Sequence, residues 1–157
     1  HVYGLETICL RYFNIFGPRQ DPTSPYRGVI SIFARMMLDG VAPTIHGDGE
    51  QSRDFTSVDN VVAANVAALV APTAAGEVYN IGTGRGVTVN ELVAALNETI
   101  GSDLQPQHGA SRTGDVRASI ADISRARRDL GYEPRVSFEQ GLQQTVHWMR
   151  HHDEGES

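Results

Sequence analysis

Apolar residues recur at the three- and four-residue spacing of amphipathic helices in four segments of the chain. The segments predict helices over residues 28–39, from 57 or 58 to about 70, over 88–101, and from 137 towards the C-terminus. The apolar positions that define these helices are Ile30, Phe33, Ala34, Met37 and Leu38 in the first, Val62, Val66, Leu69 and Val70 in the second, Val89, Leu92, Val93, Leu96 and Ile100 in the third, and Phe138, Leu142, Val146 and Met149 in the last.

Local signals mark where the last helices begin. Thr88 with Glu91, and Ser137 with Gln140, have the spacing of a capping box, in which a hydroxyl and a carboxylate or amide satisfy each other's backbone N–H groups. A short basic helix is predicted over residues 122–130.

Short apolar runs between the helices predict strands. Residues 7–10 are β-branched and apolar enough to be buried on both faces of a parallel sheet, and residues 77–81 predict a second strand. Residues 43–46 and 53–56 flank a tight turn at 47–50, which predicts a hairpin-like excursion. This mixture of helices and strands along the chain predicts an α/β fold. Two or three of the strands join a larger parallel sheet, and the remaining elements form a small lobe.

Composition narrows the class of protein. With 157 residues and 40% hydrophobic content the chain is long enough for one domain, assigned to residues 1–150 with a polar tail at 151–157. The net charge of -6 argues against nucleic acid or an anionic membrane as partner, and no apolar run reaches membrane-spanning length. Cys9 is the single cysteine, expected to be buried in the first strand of a protein in a reducing compartment such as the cytoplasm. No cluster of residues has metal-ligand spacing.

Asn14 lies just beyond the carboxyl end of the first predicted strand, which begins in residues 7–10 and breaks into a loop at Asn14. Loops at the carboxyl ends of parallel strands line the ligand crevice of open α/β sheets. An amide at that position can both donate and accept hydrogen bonds, as binding of a phosphate or a sugar hydroxyl requires. Asn14 is therefore a candidate substrate contact.

A second candidate site lies in residues 45–55. Gly47 and Gly49 allow the backbone to approach a ligand closely, and Arg53 can offer its forked guanidinium to a diphosphate. The plainer interpretation is a glycine-rich hairpin with Arg53 and Asp54 as surface charges. The sequence alone leaves both open.

Four motifs together carry a family resemblance. They are RYFN followed by FGPRQ in residues 11–20, PYRGVI in 25–30, GDGxxxRDF in 47–55, and RxGD in 112–115. In this order the motifs resemble the extended short-chain dehydrogenase/reductase family, in particular its NAD-dependent nucleotide-sugar epimerases and their dehydratase relatives. The glycine-containing turn NIGTG at residues 80–84 lacks the rest of a dinucleotide fingerprint and is interpreted as a strand-to-loop turn.

The resemblance covers only part of such an enzyme. The family's catalytic Tyr-x-x-x-Lys pair and its glycine-rich dinucleotide fingerprint do not occur in these residues. The chain therefore resembles the C-terminal, substrate-binding domain of an extended Rossmann-fold enzyme without its dinucleotide-binding half, with residues 2–4 as the last turn of the missing helix. The implied activity of the parent is epimerisation of a UDP-hexose at C4, with NAD as hydride carrier, in a homodimer.

The resemblance also implies roles for individual residues, none of them catalytic. Substrate-binding positions are Asn14, the backbone groups of Gly28, Val29 and Ile30, the base contacts Ile45 and His46, the diphosphate ligands Arg53 and Arg112, and the ribose contact Asp115. Phe13 corresponds to a contact with the nicotinamide ring of NAD. Several of these residues have an ordinary structural alternative: core packing for Phe13, Val29 and Ile30, a turn residue for His46, and a solvated loop for Arg112 and Asp115.

Other functions remain compatible with these residues. A nucleotide-sugar dehydratase, decarboxylase or reductase of the same superfamily is one alternative, and a non-catalytic nucleotide-binding module is another. The fragment alone is expected to be inactive, to bind no NAD, and to self-associate through apolar surface meant for the other lobe. A reading frame that continues upstream into Tyr-x-x-x-Lys would favour the enzyme over the module.

Overall fold

A computed structural model of the chain describes residues 6–20, 24, 28–71 and 75–152, which form five helices and nine short strands. In chain order they are β1 Cys9–Tyr12, β2 Ile15–Phe16, α1 Val29–Leu38, β3 Thr44–His46, β4 Ser52–Arg53, β5 Thr56–Ser57, α2 Val58–Val70, β6 Val78–Ile81, β7 Val87–Thr88, α3 Val89–Ile100, β8 Gln107–Gly109, β9 Ala118–Ser119, α4 Ser124–Leu130 and α5 Phe138–His152. The expectations for residues 2–4, for 25–27 and for the tail beyond 152 lie outside the described residues.

The predicted helices are confirmed, because their signals are local. The capping box of α3 is complete, with the Thr88 hydroxyl accepting from Glu91 N and Thr88 N donating to the Glu91 carboxylate. The helix ends at Gly101, whose φ of 80° is the left-handed conformation that glycine adopts readily. α5 extends to His152, two residues beyond the predicted domain boundary.

The strands pair mostly in parallel and over long sequence distances. β1 pairs with β6 in the register Cys9 to Val78, with α2 as part of the crossover between them. β2 pairs in parallel with β5, and β3 with β8. β4 lies between β7, which is antiparallel to it, and β9, which is parallel.

The predicted hairpin is wrong. β3 and β4 flank the expected turn but belong to different sheets, because the backbone groups of each are satisfied by strands much later in the chain. β3 pairs with β8, and β4 pairs with β7 and β9. The turn therefore separates two layers instead of joining two paired strands.

Two apolar clusters form the core. The larger one lies between α1, α3 and α5 and includes the aromatic contact of Phe55 with Phe138, whose ring centroids are 5.9 Å apart. The smaller one joins β6, α4 and one side of α2, and it contains the buried Tyr79 and Tyr132. Phe13 packs, half-buried, against this second cluster.

The exposure of β1 and of one α2 face departs from the prediction. Cys9 is exposed, because β1 has β6 on one edge and, among the described residues, no strand on the other. In α2 the buried side chains are Asn60, Val61 and Ala64, since this narrower side lies against the sheet and the segment before α5. The apolar residues at the predicted spacing face outwards, with exposed fractions of 56% for Val62, 57% for Val66, 86% for Leu69 and 77% for Val70.

None of the helices described combines the length and apolarity that crossing a bilayer requires.

Candidate functional site

Two adjoining hollows collect most of the predicted site residues. The first, the Ile45 groove, has a volume of about 370 Å³ and lies between α1, β3, β4 and the loop before β9. It is lined by Val29, Ile32, Phe33, Met36, Thr44, Ile45, His46, Gln51, Arg53, Val89, Arg112 and Asp115. The second, the Asn14 pocket, has about 350 Å³ and is lined by Asn14, Ile15, Phe16, Gln20, Gly28, Val29, Ile30, Arg53 and Phe55.

Arg53 and Val29 line both hollows, so the groove and the pocket share a wall. Of the ten residues that the sequence singled out, nine line one or both hollows, although they come from five separate segments of the chain. Phe13 lines neither. A larger hollow of about 710 Å³ between α3 and α5 contains none of them.

Arg53 is fixed at the wall of the groove. Its Nη1 donates to the backbone oxygens of Ser52 at 2.8 Å and Val116 at 2.5 Å, and its Nη2 lies 2.5 Å from Asp115 Oδ1. The side chains of Arg53 and Asp115 are 19% and 34% exposed, so the ion pair is partly shielded from water. A ligand anion that binds Arg53 must therefore compete with Asp115 for the same guanidinium.

Arg112 lines the same groove but differs from Arg53 in its exposure and in its partners. Its side chain is exposed, and within the described part of the chain it has no hydrogen-bond or ion-pair partner. Arg117, five positions later, instead donates from Nη1 to both carboxylate oxygens of Asp48, at 2.8 and 2.9 Å. The groove thus holds one guanidinium paired with a carboxylate and one unpaired.

The turn at residues 47–50 shapes the end of the groove. Gly49 has a φ of 78°, and a Cβ there would lie 2.1 Å from Asn90 Oδ1, so the turn packs directly on the start of α3. Asn90 Nδ2 donates to Asp48 O at 3.0 Å. The Glu50 N–H group, followed by Arg117, lowers the pKa of the Asp48 carboxyl below its usual value.

Ile45 and His46 are consecutive residues of β3, and their side chains point to opposite faces of the strand. Ile45 is 1% exposed and forms apolar floor of the groove, whereas His46 is half-buried with Nδ1 3.3 Å from Ala110 O. Gln51, which the sequence analysis missed, donates from Nε2 to His46 O at 2.9 Å and also lines the groove. The floor can accept a flat apolar surface such as a nucleobase.

In the Asn14 pocket, polar groups come from the ends of two elements. Asn14 is exposed, and its Nδ2 lies 3.4 Å from Asp54 O. α1 begins after Gly28, which provides no side-chain cap, and the first residues of the helix, Val29 and Ile30, line the pocket. Gln20 bonds Ser31 in that first turn and ties the loop to the helix.

The interpretation of Arg53 and Asp54 as two surface charges is wrong, since Asp54 is fully buried and Arg53 is mostly so. The sequence analysis also missed Ile32, Met36 and Val89 as wall residues. Helical periodicity could have indicated Val89, but which turns of α1 face the groove depends on packing that the sequence does not specify.

The chain is similar in sequence to known enzymes that act on nucleotide sugars. The sequence profile of the family described as GDP-mannose 4,6 dehydratase matches residues 1–145. UDP-glucose 4-epimerase of Mycolicibacterium smegmatis is 37% identical over 150 residues, which cover 96% of this chain and 47% of that protein. Decarboxylases and dehydratases of nucleotide sugars are also among the matched relatives.

Solved structures of nucleotide-sugar epimerases are also similar to this chain, in both sequence and fold. UDP-glucose 4-epimerase of Thermotoga maritima, solved with UDP-glucose, is 49% identical with a TM-score of 0.88 over 94% of this chain and 47% of that one. UDP-N-acetylglucosamine 4-epimerase of Methanobrevibacter ruminantium, solved with UDP-N-acetylmuramic acid, is 40% identical with a TM-score of 0.87 and the same coverage. The chain spans about half the length of these relatives, and several solved relatives are complexes with NAD.

Proposed function

Because this chain belongs to the extended short-chain dehydrogenase/reductase family, as part of its C-terminal portion, we propose that it is the UDP-sugar-binding half of an NAD-dependent 4-epimerase. The observation that carries the proposal is the convergence of nine predicted residues on two hollows that share Arg53. The UDP-sugar epimerases among the relatives support the substrate class.

In this proposal the Ile45 groove takes the nucleoside. The uracil lies on the apolar floor at Ile45 beside His46, and the diphosphate lies between Arg53 and Arg112. Each desolvated charge-assisted bond to the diphosphate contributes roughly 1.5 to 3 kcal/mol. The remaining length of the ligand, its hexose, extends past Arg53 into the Asn14 pocket, where Asn14 and the first turn of α1 offer donors.

Asp115 has two partners in this scheme. Without ligand it holds Arg53 in place. When the diphosphate takes over the guanidinium, the Asp115 carboxylate is released to accept hydrogen bonds from the ribose hydroxyls. The exchange keeps the Arg53 guanidinium oriented before binding, which reduces the entropy lost on association.

The reacting groups belong to the other half. The chain contains no lysine, so these residues cannot supply the lysine of a Tyr-x-x-x-Lys pair. Phe13 is the one residue here that the resemblance assigns to NAD, and it packs half-buried against the smaller apolar cluster. Bound NAD would supply the hydride acceptor for C4, while this chain binds and orients the sugar.

A dehydratase or decarboxylase is the second candidate, favoured by relatives of both kinds at 36% and 33% identity. The binding half would work in the same way in either enzyme, since all three reactions need the nucleotide diphosphate held. Products formed by the full-length protein from UDP-glucose, UDP-glucuronate and dTDP-glucose distinguish the three activities.

A thermal-shift panel of UDP-, dTDP- and GDP-sugars on the full-length protein tests the proposal. A ligand that binds the native state alone raises the melting temperature in proportion to ln(1 + [L]/Kd). The UDP-sugars are expected to give the largest shift. No shift with any nucleotide sugar, or a preference for GDP-sugars, contradicts the proposal.

A further inference from the structure

Asp54 is a buried carboxylate that the proposed function does not use directly. Its exposed fraction is 0%, and its side chain accepts hydrogen bonds from five neutral donors. Oδ1 accepts from Thr83 N at 2.8 Å, Thr83 Oγ1 at 2.7 Å and Thr56 Oγ1 at 3.2 Å. Oδ2 accepts from Gly84 N at 2.9 Å and Ala121 N at 3.2 Å. Burial of such a group is tolerated only because these donors replace its water.

The backbone of Asp54 reaches the other parts of the site. Its N–H group donates to Ser119 O at 2.9 Å, which ties β4 to the strand that follows the Arg112 loop. Its carbonyl oxygen accepts from Asn14 Nδ2 at 3.4 Å. Arg53 is its immediate neighbour in the chain. One residue therefore contacts or adjoins three segments that carry the proposed substrate ligands.

The space around the carboxylate is closed. A Cβ on Gly82 would lie 2.6 Å from Asp54 Oδ2 and 2.5 Å from the Ala121 side chain, so the loop after β6 approaches as closely as a glycine allows. Tyr132 holds the same loop from the opposite side, with its hydroxyl 2.8 Å from Gly82 O. The carboxylate cannot shift without moving β4 or this loop.

We infer that Asp54 is the positioning residue of the diphosphate site: it holds β4, the Asn14 loop and the segment after Arg112 in one arrangement, so that both arginines reach the same anion. The inference rests on the proposed function of the groove. Asp54 touches no substrate in this role and acts through Arg53 and its neighbours.

Replacing Asp54 by Asn isolates the role, because the volume is kept and half of the acceptor capacity is lost. An amide nitrogen in the place of Oδ2 would meet the N–H groups of Gly84 and Ala121, donor against donor. β4 would then have to move relative to the loop, and Arg53 with it.

The test is a double-mutant cycle in the full-length protein, built from Asp54→Asn, Arg53→Ala and the double variant. The Kd for UDP is measured by calorimetry, and KM and kcat are measured with the UDP-sugar. Asp54→Asn is expected to raise Kd and KM roughly tenfold while kcat changes less than about threefold, because no reacting group is lost. In the Arg53→Ala background the same change is expected to raise Kd by a smaller factor than in wild type, because only the part of its effect that acts through Arg112 and Asn14 remains.

Asp122→Asn is the matched control. Asp122 is an exposed carboxylate near the same loop, and its side chain bonds only Ser124 among the partners observed. Its substitution is expected to leave Kd, KM and kcat at the wild-type values. Thr83→Val is a milder second variant, which removes one donor to Asp54 and is expected to raise Kd about threefold.

The outcomes separate the inference from its premise. A wild-type protein that binds no UDP contradicts the proposed function itself. If wild-type binds UDP and Arg53→Ala weakens binding, then an unchanged Kd in Asp54→Asn, or effects that multiply in the double variant, overturns the role of Asp54. If the far-UV circular dichroism of Asp54→Asn shows that this variant does not fold, Thr83→Val is used in its place. An unchanged KM in Thr83→Val then overturns the inference.

Discussion

Arg53 and Asp115 form an ion pair with Nη2 2.5 Å from Oδ1, although 62 positions separate them in the chain. The pair joins β4 to the loop before β9 across the wall of the Ile45 groove. It orients a guanidinium towards a hollow of about 370 Å³, where a bound anion would compete with Asp115 for that guanidinium.

Loss of either arginine should weaken substrate binding. Arg53→Ala and Arg112→Ala in the full-length protein are each expected to raise the KM for the UDP-sugar more than about tenfold, since each removes charge-assisted bonds to the diphosphate. Steady-state kinetics measure the effect. Arg117→Ala is the matched control, because Arg117 is 67% exposed and paired with Asp48. Unchanged kinetics in both Arg53→Ala and Arg112→Ala would refute the proposed role.

Asp115 should confer selectivity for ribose over deoxyribose. Asp115→Asn removes the carboxylate proposed to accept from the ribose hydroxyls and also releases Arg53 from its partner. The variant is expected to lose more affinity for UDP than for dUDP, which lacks the 2′-hydroxyl, so the dissociation constant for dUDP divided by that for UDP should fall at least about threefold. Calorimetric titrations with both nucleotides measure the ratio. Equal losses for UDP and dUDP would argue against a ribose contact.

The stability of the fold should fall in alkaline solution through Tyr132. Burial, and next the negative charge of Asp54, raise the pKa of Tyr132 to about 12 from the ordinary value of 10.0. As the pH rises above 10 the unfolded chain loses this proton first, so the free energy of unfolding falls between pH 10 and pH 12 and levels off above that range. The loss attributable to Tyr132 is at most about 3 kcal/mol.

Tyr132→Phe isolates this contribution. The variant is expected to be less stable than wild type by about 1 kcal/mol near neutral pH, because Gly82 O loses its hydrogen bond. The difference should shrink at high pH, since only the wild type then has a Tyr132 to ionise. Urea unfolding of both proteins at about pH 9 and about pH 11.5 measures the change. A constant difference between the two proteins would contradict the assignment.

The outward face of α2 should drive self-association of the 157-residue chain. Val66 and Leu69 lie one turn apart on a face that is apolar and exposed. We expect the chain to sediment as a dimer or larger species, and Val66→Glu with Leu69→Glu to shift it towards monomer. The control is Gln143→Glu with Gln144→Glu, which introduces two charges at exposed positions of α5. It should leave the sedimentation of the chain unchanged. A strictly monomeric wild-type chain would contradict this expectation.

The helices could be predicted because their information is local. The Thr88 and Glu91 box, the apolar rows of α1 and α3 and the stop at Gly101 all lie within the segments they define. The pairing of β3 with β8 could not be predicted. Its partners Ile45 and His108 are about 60 residues apart in the chain, and no local pattern encodes such a contact. The outward face of α2 was missed because apolar residues surround this helix, so periodicity did not select one side.

For the site, motif order was the useful signal. It selected Asn14, Ile45, Arg53, Arg112 and Asp115, which the fold brings to two adjoining hollows. It gave no indication that Arg53 and Asp115 bind each other, or that the adjacent Asp54 is buried, because both depend on segments that meet only in the folded chain.

The crystal structure of the full-length protein with UDP-glucose tests the central claim most directly, through the distances from the diphosphate oxygens to the two arginines. We predict both guanidinium groups within about 3.2 Å of those oxygens, with Asp115 moved from Arg53 to the ribose. A diphosphate bound elsewhere, with the Arg53 and Asp115 pair intact, would contradict it.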